Sequence, residues 1–356
     1  MLTITQQIEE IEQVLRKTPH HKATNGFIGA MRAKIARLKD KELETSSKGG
    51  GGVGYAVKKQ GHATTILIGP PSAGKSTLLN LLTNAESKVA PYAFTTVSVI
   101  PGMLKYRQAY IQILDVPGLI EGASIGKGRG KEVLSVARGA DLLIIMTDPK
   151  RLNFFETLTK ELYGAGIRIN KKRPDIRIEK LLSGGITIRS NFKQDFDQET
   201  VKNVAGEFGI KNAIITLKEK VTIDELVDVF TTRITYKKAI FVVNKADTIK
   251  NKFTRSQDYI YISAEDNKGV EDLKEIIWNK LDLVTIYLVE KDKKPSKENP
   301  IIMKHNDTLD SVALKIGSEF RQGINLAKIW GSGAKFDGQE VPLTTKVVDG
   351  MMIRFI

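Results

Sequence analysis

Apolar residues recur at helical spacing within the first 45 residues of the chain. One stripe consists of Ile4, Ile8, Ile11 and Leu15, and a second consists of Phe27, Met31, Ile35 and Leu38. Because side chains three or four positions apart share one face of a helix, each stripe predicts an amphipathic helix. Turn signals at Pro19 and Gly26 lie between the stripes and predict an antiparallel helical hairpin. The run SSKGGGGVGYAVKKQGHA then predicts a flexible connector, so residues 1–63 form the first predicted domain.

From residue 64 onward, short continuous apolar runs alternate with helical stretches. The runs are TTILIG, YIQILD, DLLIIMTD, AIFVVN and DYIYIS, and the helical stretches are 76–84, 129–139, 152–163 and 269–282. Strands that are buried on both faces have this continuous apolar pattern. The alternation therefore predicts an α/β fold with a doubly wound, mainly parallel sheet, built from residues 64–165 and 239–283.

Two further segments depart from this alternation. Residues 166–238 interrupt it and predict an inserted small α+β domain. Residues 284–356 contain the run LVTIYLVE, a predicted helix from Thr308 to Arg321, the run LAKIWGSG and a closing MMIRFI strand. A strand-rich sheet crossed by one helix predicts a β-grasp-like domain at this end of the chain.

The composition excludes several classes of protein. The chain has no cysteine, which excludes disulfides and thiolate metal sites and agrees with a reducing cytoplasm. Its four histidines, His20, His21, His62 and His305, are scattered, so a histidine metal centre is not expected. No apolar run is long enough to span a membrane, and the N-terminus lacks the pattern of a secretory signal. We therefore expect a cytoplasmic protein.

The charge balance favours a polyanionic partner. The chain has 55 Lys and Arg against 41 Asp and Glu, a net charge of +14. Residues 1–63 carry 11 basic against 6 acidic residues, and residues 166–238 carry 15 against 10. Since Lys and Arg that meet phosphates release condensed counterions, these two segments are candidates for docking on an anionic surface. The second predicted helix contributes Arg32, Lys34, Arg37, Lys39 and Lys41, although such faces are often simply solvated.

A phosphate-binding loop follows the first predicted strand of the sheet. Gly69 to Ser76 reads GPPSAGKS and matches G-x-x-x-x-G-K-[ST], with a strand before it and a helix after it. In such a loop main-chain N–H groups surround the phosphates, the lysine reaches the β- and γ-phosphates, and the serine hydroxyl binds Mg²⁺. The predicted phosphate-binding residues are Gly69, Pro70, Pro71, Ser72, Ala73, Gly74, Lys75, Ser76 and Thr77.

Three more motifs end predicted strands of the same sheet. Asp115-Val-Pro-Gly118 supplies a carboxylate for Mg²⁺ and an N–H for the γ-phosphate. Asn244-Lys245-Ala246-Asp247 selects the base, because Asp247 can accept from guanine N1–H and its amine, whereas adenine would leave the carboxylate unpaired. Ser263-Ala264 lies where the Ala264 N–H can meet guanine O6. Since the carboxyl edge of such sheets binds ligands, the motifs predict a P-loop GTPase that converts GTP to GDP and phosphate.

The catalytic half of the site is less complete than the binding half. A threonine should bind Mg²⁺ and sense the γ-phosphate; Thr96 is favoured and Thr95 is the alternative. The expected Mg²⁺ ligands are thus Ser76, Thr96 and Asp115, and the expected catalytic groups are Lys75, Thr96 and Gly118.

The residue after Asp-x-x-Gly is Leu119, where small regulatory GTPases have the glutamine that orients water. Intrinsic hydrolysis should therefore be slow and helped by a cation, by a partner, or by a residue such as Arg129 or Arg138. Glycines at 122, 126, 128 and 130 give the loop that follows the freedom to move when the γ-phosphate leaves.

Several motifs resemble the developmentally regulated GTP-binding proteins of the Obg–HflX group of translation-factor-related GTPases, in an archaeal-type form. They are GPPSAGKSTLLNLLT, YAFTT, PGMLKYRQAYIQILDVPGLIEGA and GKGRGKEVLSVAR. The resemblance implies an N-terminal helix-turn-helix region, an inserted domain like a ribosomal-protein module, and a TGS domain from about residue 284. It also implies GTP and GDP binding with Mg²⁺, association with the ribosome or ribosomal RNA, and a partner protein that stimulates the GTPase. No membrane and no specific DNA sequence is implied.

One departure concerns the cation that assists hydrolysis. Obg-like loops often have asparagine at the position of Ser72, and that asparagine binds K⁺ in related GTPases; here a serine hydroxyl would have to bind K⁺ in its place. A second reading of the whole chain stays open at this point. In it the protein is a ribosome- or RNA-binding scaffold that holds GTP as a nearly static ligand.

Overall fold

The computed structural model describes residues 3–48, 59–83, 100–116, 130–248 and 258–356. The chain forms two compact units. The first consists of Met1–Gly54 and Gly166–Tyr236, and the second of Tyr55–Ala165 and Lys237–Ile356. The N-terminal segment and the inserted segment, which the sequence pattern treats as separate, therefore belong to one unit.

The N-terminal segment forms the predicted helical hairpin. Helix α1 is Ile4–Lys17 and helix α2 is Asn25–Lys48, with a short 3-10 helix at Lys22–Thr24 between them. Thr3 caps α1, since its side chain accepts from the Gln6 N–H and the Gln6 side chain accepts from the Thr3 N–H.

The inserted segment contributes strands and helices to the same unit. They are β5 (Ile167–Ile169), β6 (Ile176–Lys180), β7 (Ile186–Ser190), α6 (Gln198–Glu207), β8 (Ala213–Leu217) and α7 (Ile223–Phe230). The strands β6, β8 and β7 form a sheet in that order, with β8 antiparallel to β6 and parallel to β7. This arrangement agrees with the predicted small α+β architecture.

Helix α2 buries a different face from the one its apolar stripe predicts. Phe27 remains 45% exposed, whereas Ala33 and Ala36 are buried in a core shared with α6. A Cβ at Gly29 would lie 3.1 Å from Val204 Cγ2, so the two helices approach closely along small side chains. Ile28 is fully buried as well, and Met31, Ile35 and Leu38 of the predicted stripe are partly buried, so the buried face is rotated from the stripe rather than opposite to it. Alanine and glycine give little hydrophobic signal, which is why periodicity alone misses this rotation.

The second unit contains the predicted α/β sheet. Its strands are β1 (Ala63–Ile68), β2 (Ile100–Tyr106), β3 (Ala109–Asp115), β4 (Leu142–Thr147), β9 (Thr235–Val243) and β10 (Ile260–Tyr261). The order is β10-β9-β4-β1-β3-β2. The pairings β10–β9, β9–β4, β4–β1 and β1–β3 are parallel and β2–β3 is antiparallel. The doubly wound, mainly parallel sheet is thus confirmed.

The helices of this sheet begin and end close to the predicted bounds. They are α3 (Lys75–Thr83), α4 (Gly130–Gly139), α5 (Asn153–Gly164) and α8 (Val270–Lys280). Apolar residues of α3 and α8 form a core with the strands, and Trp278 of α8 is buried in it. Strand β2, which no predicted run included, is only partly buried and forms a hairpin with β3. No helix within the described parts of the chain is long and apolar enough to cross a membrane.

The C-terminal segment forms a second sheet with its own core. Strands β11 (Leu283–Leu288), β12 (Pro300–Lys304), β13 (Leu326–Gly331), β14 (Gln339–Pro342) and β15 (Met351–Phe355) lie in the order β12-β11-β15-β13-β14. The mixed sheet packs on a helix in the β-grasp manner. The single helix predicted from Thr308 to Arg321 is two helices, α9 (Leu309–Ile316) and α10 (Ser318–Gln322), because Gly317 adopts an extended conformation between them.

Candidate functional site

The predicted motifs meet at the carboxyl edge of the α/β sheet. Gly69 follows β1, Asp115 ends β3, Asn244 follows β9, and Ser263 lies two residues after β10. Because these strands are parallel, their ends lie at one edge, which is where ligands bind in such sheets. Asp148 follows β4 at the same edge.

The phosphate-binding loop requires glycine at two of its positions. A Cβ at Gly69 would lie 2.3 Å from the Met146 carbonyl oxygen, and a Cβ at Gly74 would lie 2.3 Å from Asn244 Nδ2. Gly74 also has a φ of +91°. Ser72 adopts a φ of 61°, which is uncommon for a residue with a side chain, so the tip of the loop is held in a demanding conformation.

Lys75 is the cation of this loop. Its Nζ donates to the carbonyl oxygens of Gly69 (3.0 Å) and Pro70 (3.1 Å). Burial lowers the pKa of Lys75, the Asp115 carboxylate opposes that shift, and the charge of Arg151 adds to it. A half-buried ammonium held by two carbonyls is ready to exchange them for phosphate oxygens, which are stronger acceptors.

Ser76 and Asp115 form the part of the site that suits a divalent cation. Ser76 Oγ donates to Asp115 Oδ2 over 2.8 Å, while Asp115 Oδ1 is buried without a hydrogen-bond partner. Burial raises the pKa of the Asp115 carboxyl, and the Ser76 bond and the charge of Lys75 oppose this. An orphaned carboxylate oxygen beside a hydroxyl is a hard-oxygen donor pair of the kind Mg²⁺ prefers.

No group of three or more His, Cys, Asp or Glu that could hold a metal occurs in the described residues. The Ser76–Asp115 pair therefore fits Mg²⁺ held jointly with nucleotide phosphates rather than a cage made only of protein side chains.

Asn244 links the phosphate loop to the loop after β10. Its Nδ2 donates to the Ala73 carbonyl and its Oδ1 accepts from the Ala264 N–H, each over 2.9 Å. All three residues are buried. The Ala264 N–H that we expected to meet guanine O6 is thus bonded to Asn244, so the two acceptors would compete for it.

Asp247, the last residue of the Asn244–Asp247 motif, is accessible to solvent. It is exposed in a 3-10 helix, Ala246–Thr248, whose Ala246 N–H is fixed by the Ile262 carbonyl. Lys245 precedes it with a φ of 60°. An exposed carboxylate on a fixed turn is accessible to a base, as the predicted role requires.

Five predicted residues fall outside the described part of the chain. They are Thr95, Thr96, Gly118, Leu119 and Arg129, and their roles remain predictions; the glycines at 122, 126 and 128 also lie outside it. Arg138 is described and donates to the Ala165 carbonyl. It lies near Lys237, two residues into β9, at the sheet edge opposite the phosphate loop. Arg138 is therefore not a candidate to assist hydrolysis.

Two residues at the site were missed by the sequence reasoning. Asp148 and Arg151 follow β4, and the Arg151 guanidinium donates from Nε to Asp148 Oδ2 (2.9 Å) and from Nη2 to the Pro71 carbonyl (3.1 Å). The available signal was their position directly after a buried strand of the same sheet.

Comparison with known proteins gives a consistent picture. A family model described as "50S ribosome-binding GTPase" matches residues 64–180, and one described as "C-terminal region of MMR_HSR1 domain" matches residues 183–283. The uncharacterized GTP-binding protein MJ1326 of Methanocaldococcus jannaschii is 40% identical, with 100% of this chain and 93% of that protein covered.

Named relatives from eukaryotes match over similar lengths. Developmentally-regulated G-protein 3 of Arabidopsis thaliana is 38% identical, covering 100% of this chain and 99% of that protein. Developmentally-regulated GTP-binding protein 1 of Xenopus laevis is 39% identical, covering 94% of each. Among solved structures, the Schizosaccharomyces pombe YchF GTPase aligns with 84% of this chain and 99% of its own at 13% identity and a TM-score of 0.43.

Proposed function

This chain belongs to the family of developmentally regulated GTP-binding proteins and is a GTPase, and we propose that it is a slowly hydrolysing GTP switch that acts on ribosomes. The observation that supports a switch is that the phosphate loop is hydrogen-bonded to the Asp115–Gly118 motif and to the Asn244–Asp247 motif. Ser76 bonds Asp115 and Asn244 bonds Ala73, so the phosphate, cation and base positions are coupled through hydrogen bonds.

In this proposal each motif holds one part of the nucleotide. The Lys75 ammonium and the main-chain N–H groups of the loop bind the phosphates, with the positive end of α3 behind them; Pro70 and Pro71 have no N–H, so the donors come from Ser72 onward. Asp247 accepts from the guanine edge. Ser76 and Asp115, with Thr96 or alternatively Thr95, would hold Mg²⁺, which would supply positive charge to the phosphates.

Hydrolysis forms a bond from a water oxygen to the γ-phosphorus and breaks the bond to the β–γ bridging oxygen, giving GDP and phosphate. Lys75 stabilises the charge that develops on the phosphates. Leu119 cannot orient the water, because its side chain neither donates nor accepts a hydrogen bond. The intrinsic rate is therefore slow, and a ribosome, a partner protein or K⁺ accelerates it in the cell.

The proposed ribosome role is supported by the net charge and by the match to the family model described as "50S ribosome-binding GTPase". Contacts on α2 argue against this helix as the docking surface. On α2, Arg32 pairs with Asp224 and Arg37 donates to the Glu207 carbonyl, so these cations serve packing within the first unit. The exposed cluster at residues 171–173, KKR, is a better docking element, because these side chains project into solvent after β5.

The decisive experiment is GTP turnover with and without ribosomes, in K⁺ and in Na⁺. We expect slow turnover alone and a clear stimulation by ribosomes. Lys75→Ala should lose GDP and GTP binding, and ADP should compete poorly with GDP. Retained turnover in Lys75→Ala, or equal competition by ADP, would overturn the site.

Cosedimentation with ribosomes tests the switch against the scaffold reading. A switch requires different binding with GDP and with a non-hydrolysable GTP analogue. Equal binding in both states would replace the switch with a scaffold that carries GTP as a static ligand. The affinity should fall steeply with salt if phosphate contacts dominate.

The C-terminal sheet and the cellular location complete the proposal. The β-grasp arrangement of β11–β15 supports a TGS domain, which in this reading binds the same ribosomal partner. The absence of cysteine supports a cytoplasmic location.

A further inference from the structure

Arg151 places a second cation beside the phosphate loop. Its Nη2 lies 3.1 Å from the carbonyl oxygen of Pro71, the third residue of the loop counted from Gly69. The side chain is 39% exposed, so its guanidinium is at the rim of the site rather than in the core. No sequence motif of the nucleotide site includes this residue.

Asp148 fixes the direction of this guanidinium. Arg151 donates to Asp148 Oδ2 from both Nε and Nη2, and the Lys150 N–H donates to Asp148 Oδ1 over 3.0 Å. Burial alone would raise the pKa of Asp148, but these bonds outweigh it and lower the pKa. The carboxylate therefore stays ionised and holds the fork in place at neutral pH.

The charge of Arg151 is felt at the phosphate-binding lysine. Lys75 Nζ donates to the carbonyl of Pro70 and Arg151 Nη2 donates to the carbonyl of the next residue, Pro71, so the two cations contact adjacent peptide groups of the loop. Burial lowers the pKa of Lys75, and the charge of Arg151 adds to that shift. Since the lysine of such loops reaches the β- and γ-phosphates, Arg151 lies near the same end of the nucleotide.

We propose that Arg151 is a positioning residue for GTP hydrolysis, which fixes the tip of the phosphate loop through Pro71 and adds a fixed positive charge beside Lys75. This inference rests on the proposed nucleotide site. It stabilises the charge that develops when the bond to the bridging oxygen breaks, which is a different contribution from orienting the water, the role that Leu119 cannot perform. Arginines that reach the phosphates from a partner raise GTPase rates by about 10³–10⁵. Because the Arg151 guanidinium is already bonded to Asp148 and to the Pro71 carbonyl, we expect it to raise the hydrolysis rate by less than this.

Arginine suits this position better than lysine. The planar guanidinium can donate to Asp148 and to Pro71 at the same time, whereas a single ammonium on a flexible stem cannot hold both in one geometry. The proposal therefore predicts that Arg151→Lys restores only part of the rate that Arg151→Gln loses.

The test compares Arg151→Gln and Arg151→Lys with Lys150→Gln, which removes the same charge from an exposed neighbour. The single-turnover rate constant for GTP hydrolysis by Arg151→Gln should fall at least about tenfold, while its affinity for GDP stays within about threefold of wild type. Affinity for GDP with aluminium fluoride, which mimics the transferring phosphoryl group, should fall more than affinity for GDP. Lys150→Gln should match wild type in all three.

Two results would overturn the inference. One is a kcat of Arg151→Gln within twofold of wild type; the other is an equal loss of GDP affinity and of kcat, which indicates a merely structural role. The Lys75→Ala variant separates this from failure of the nucleotide site. If Lys75→Ala still binds GDP, the site itself is misplaced. If it loses GDP while Arg151→Gln keeps its rate, only the role of Arg151 is wrong.

Discussion

Alanine substitutions at Asn244 and Asp247, two residues of one motif, should have different effects, one on protein stability and the other on nucleotide binding. Asn244 is buried and bridges the Ala73 carbonyl and the Ala264 N–H. Asp247 is exposed on the 3-10 helix that follows. We therefore expect Asn244→Ala to damage the fold and Asp247→Ala to damage only recognition of the base.

The size of the effect at Asn244 follows from what the substitution leaves behind. Ala73 is fully buried and Ala264 is 3% exposed, so water reaches neither freed group easily. Each buried group left unpaired costs about 1–3 kcal/mol, which gives about 2–6 kcal/mol for the two groups together. Since a domain is stable by about 5–15 kcal/mol in total, this is a large fraction. At Asp247, a surface substitution should change stability by less than about 0.5 kcal/mol.

Denaturant unfolding and nucleotide binding measure the two effects separately. The chain's two tryptophans, Trp278 and Trp330, both lie in the second unit, so their fluorescence reports the unfolding of the unit that holds the site. Losing the Asp247 contact should weaken GDP binding by about 1–3 kcal/mol, roughly 5- to 150-fold, while leaving the weak ADP binding unchanged. If the free energy of unfolding of Asn244→Ala were within about 0.5 kcal/mol of wild type, the two bonds of Asn244 would not stabilise the fold as we argue.

Three other variants test buried charge. Asp115→Asn should stabilise the nucleotide-free protein by about 1 kcal/mol, because it removes a buried carboxylate whose Oδ1 has no partner; a thermal melt measures this. The same substitution should abolish Mg²⁺-dependent GTP hydrolysis, which a turnover assay measures. Arg168→Met should cost about 3–5 kcal/mol, because Asp228, bonded to it twice at 2.6 Å, would stay buried without its partner; circular dichroism of the helical first unit reports this. Burial would raise the pKa of Asp141, but the bonds from Lys59 and from the Thr64 N–H outweigh it and lower the pKa. The ionised carboxylate therefore stabilises the folded protein above pH 3.8, and this stabilisation is lost as the pH falls further. Acid unfolding of Asp141→Asn should therefore depend less on pH in that range.

The sequence predicts the α/β sheet well because its strands are buried on both faces. Strands such as β1 and β4 are apolar throughout, and no neighbouring pattern competes with that signal. Strand β2 was not predicted because it is an edge strand with a mixed, partly buried pattern. The break at Gly317 is equally invisible, since one glycine in a helical pattern predicts only a weak point, not an extended residue.

The site shows a similar division between local and long-range information. Spacing identifies Lys75, Ser76 and Asp115, because their roles belong to short motifs at the ends of strands. The bond from Asn244 to Ala73 joins residues 171 positions apart, and that from Arg151 to Pro71 joins residues 80 positions apart. No local pattern encodes either bond, so they emerge only when the sheet brings the strand ends together.

The same limit applies to charge, where it changes the functional argument. A count of basic residues treats every lysine and arginine as available to an anionic partner. On α2, however, Arg32 forms an ion pair with Asp224, and burial lowers the pKa of Lys39, with the charge of Arg233 adding to that shift. The Arg32 pair therefore holds α2 against the inserted segment, with which α2 shares a core. The net charge of residues 1–63 therefore overstates what this segment can offer to RNA, and the inserted segment is the stronger candidate for docking.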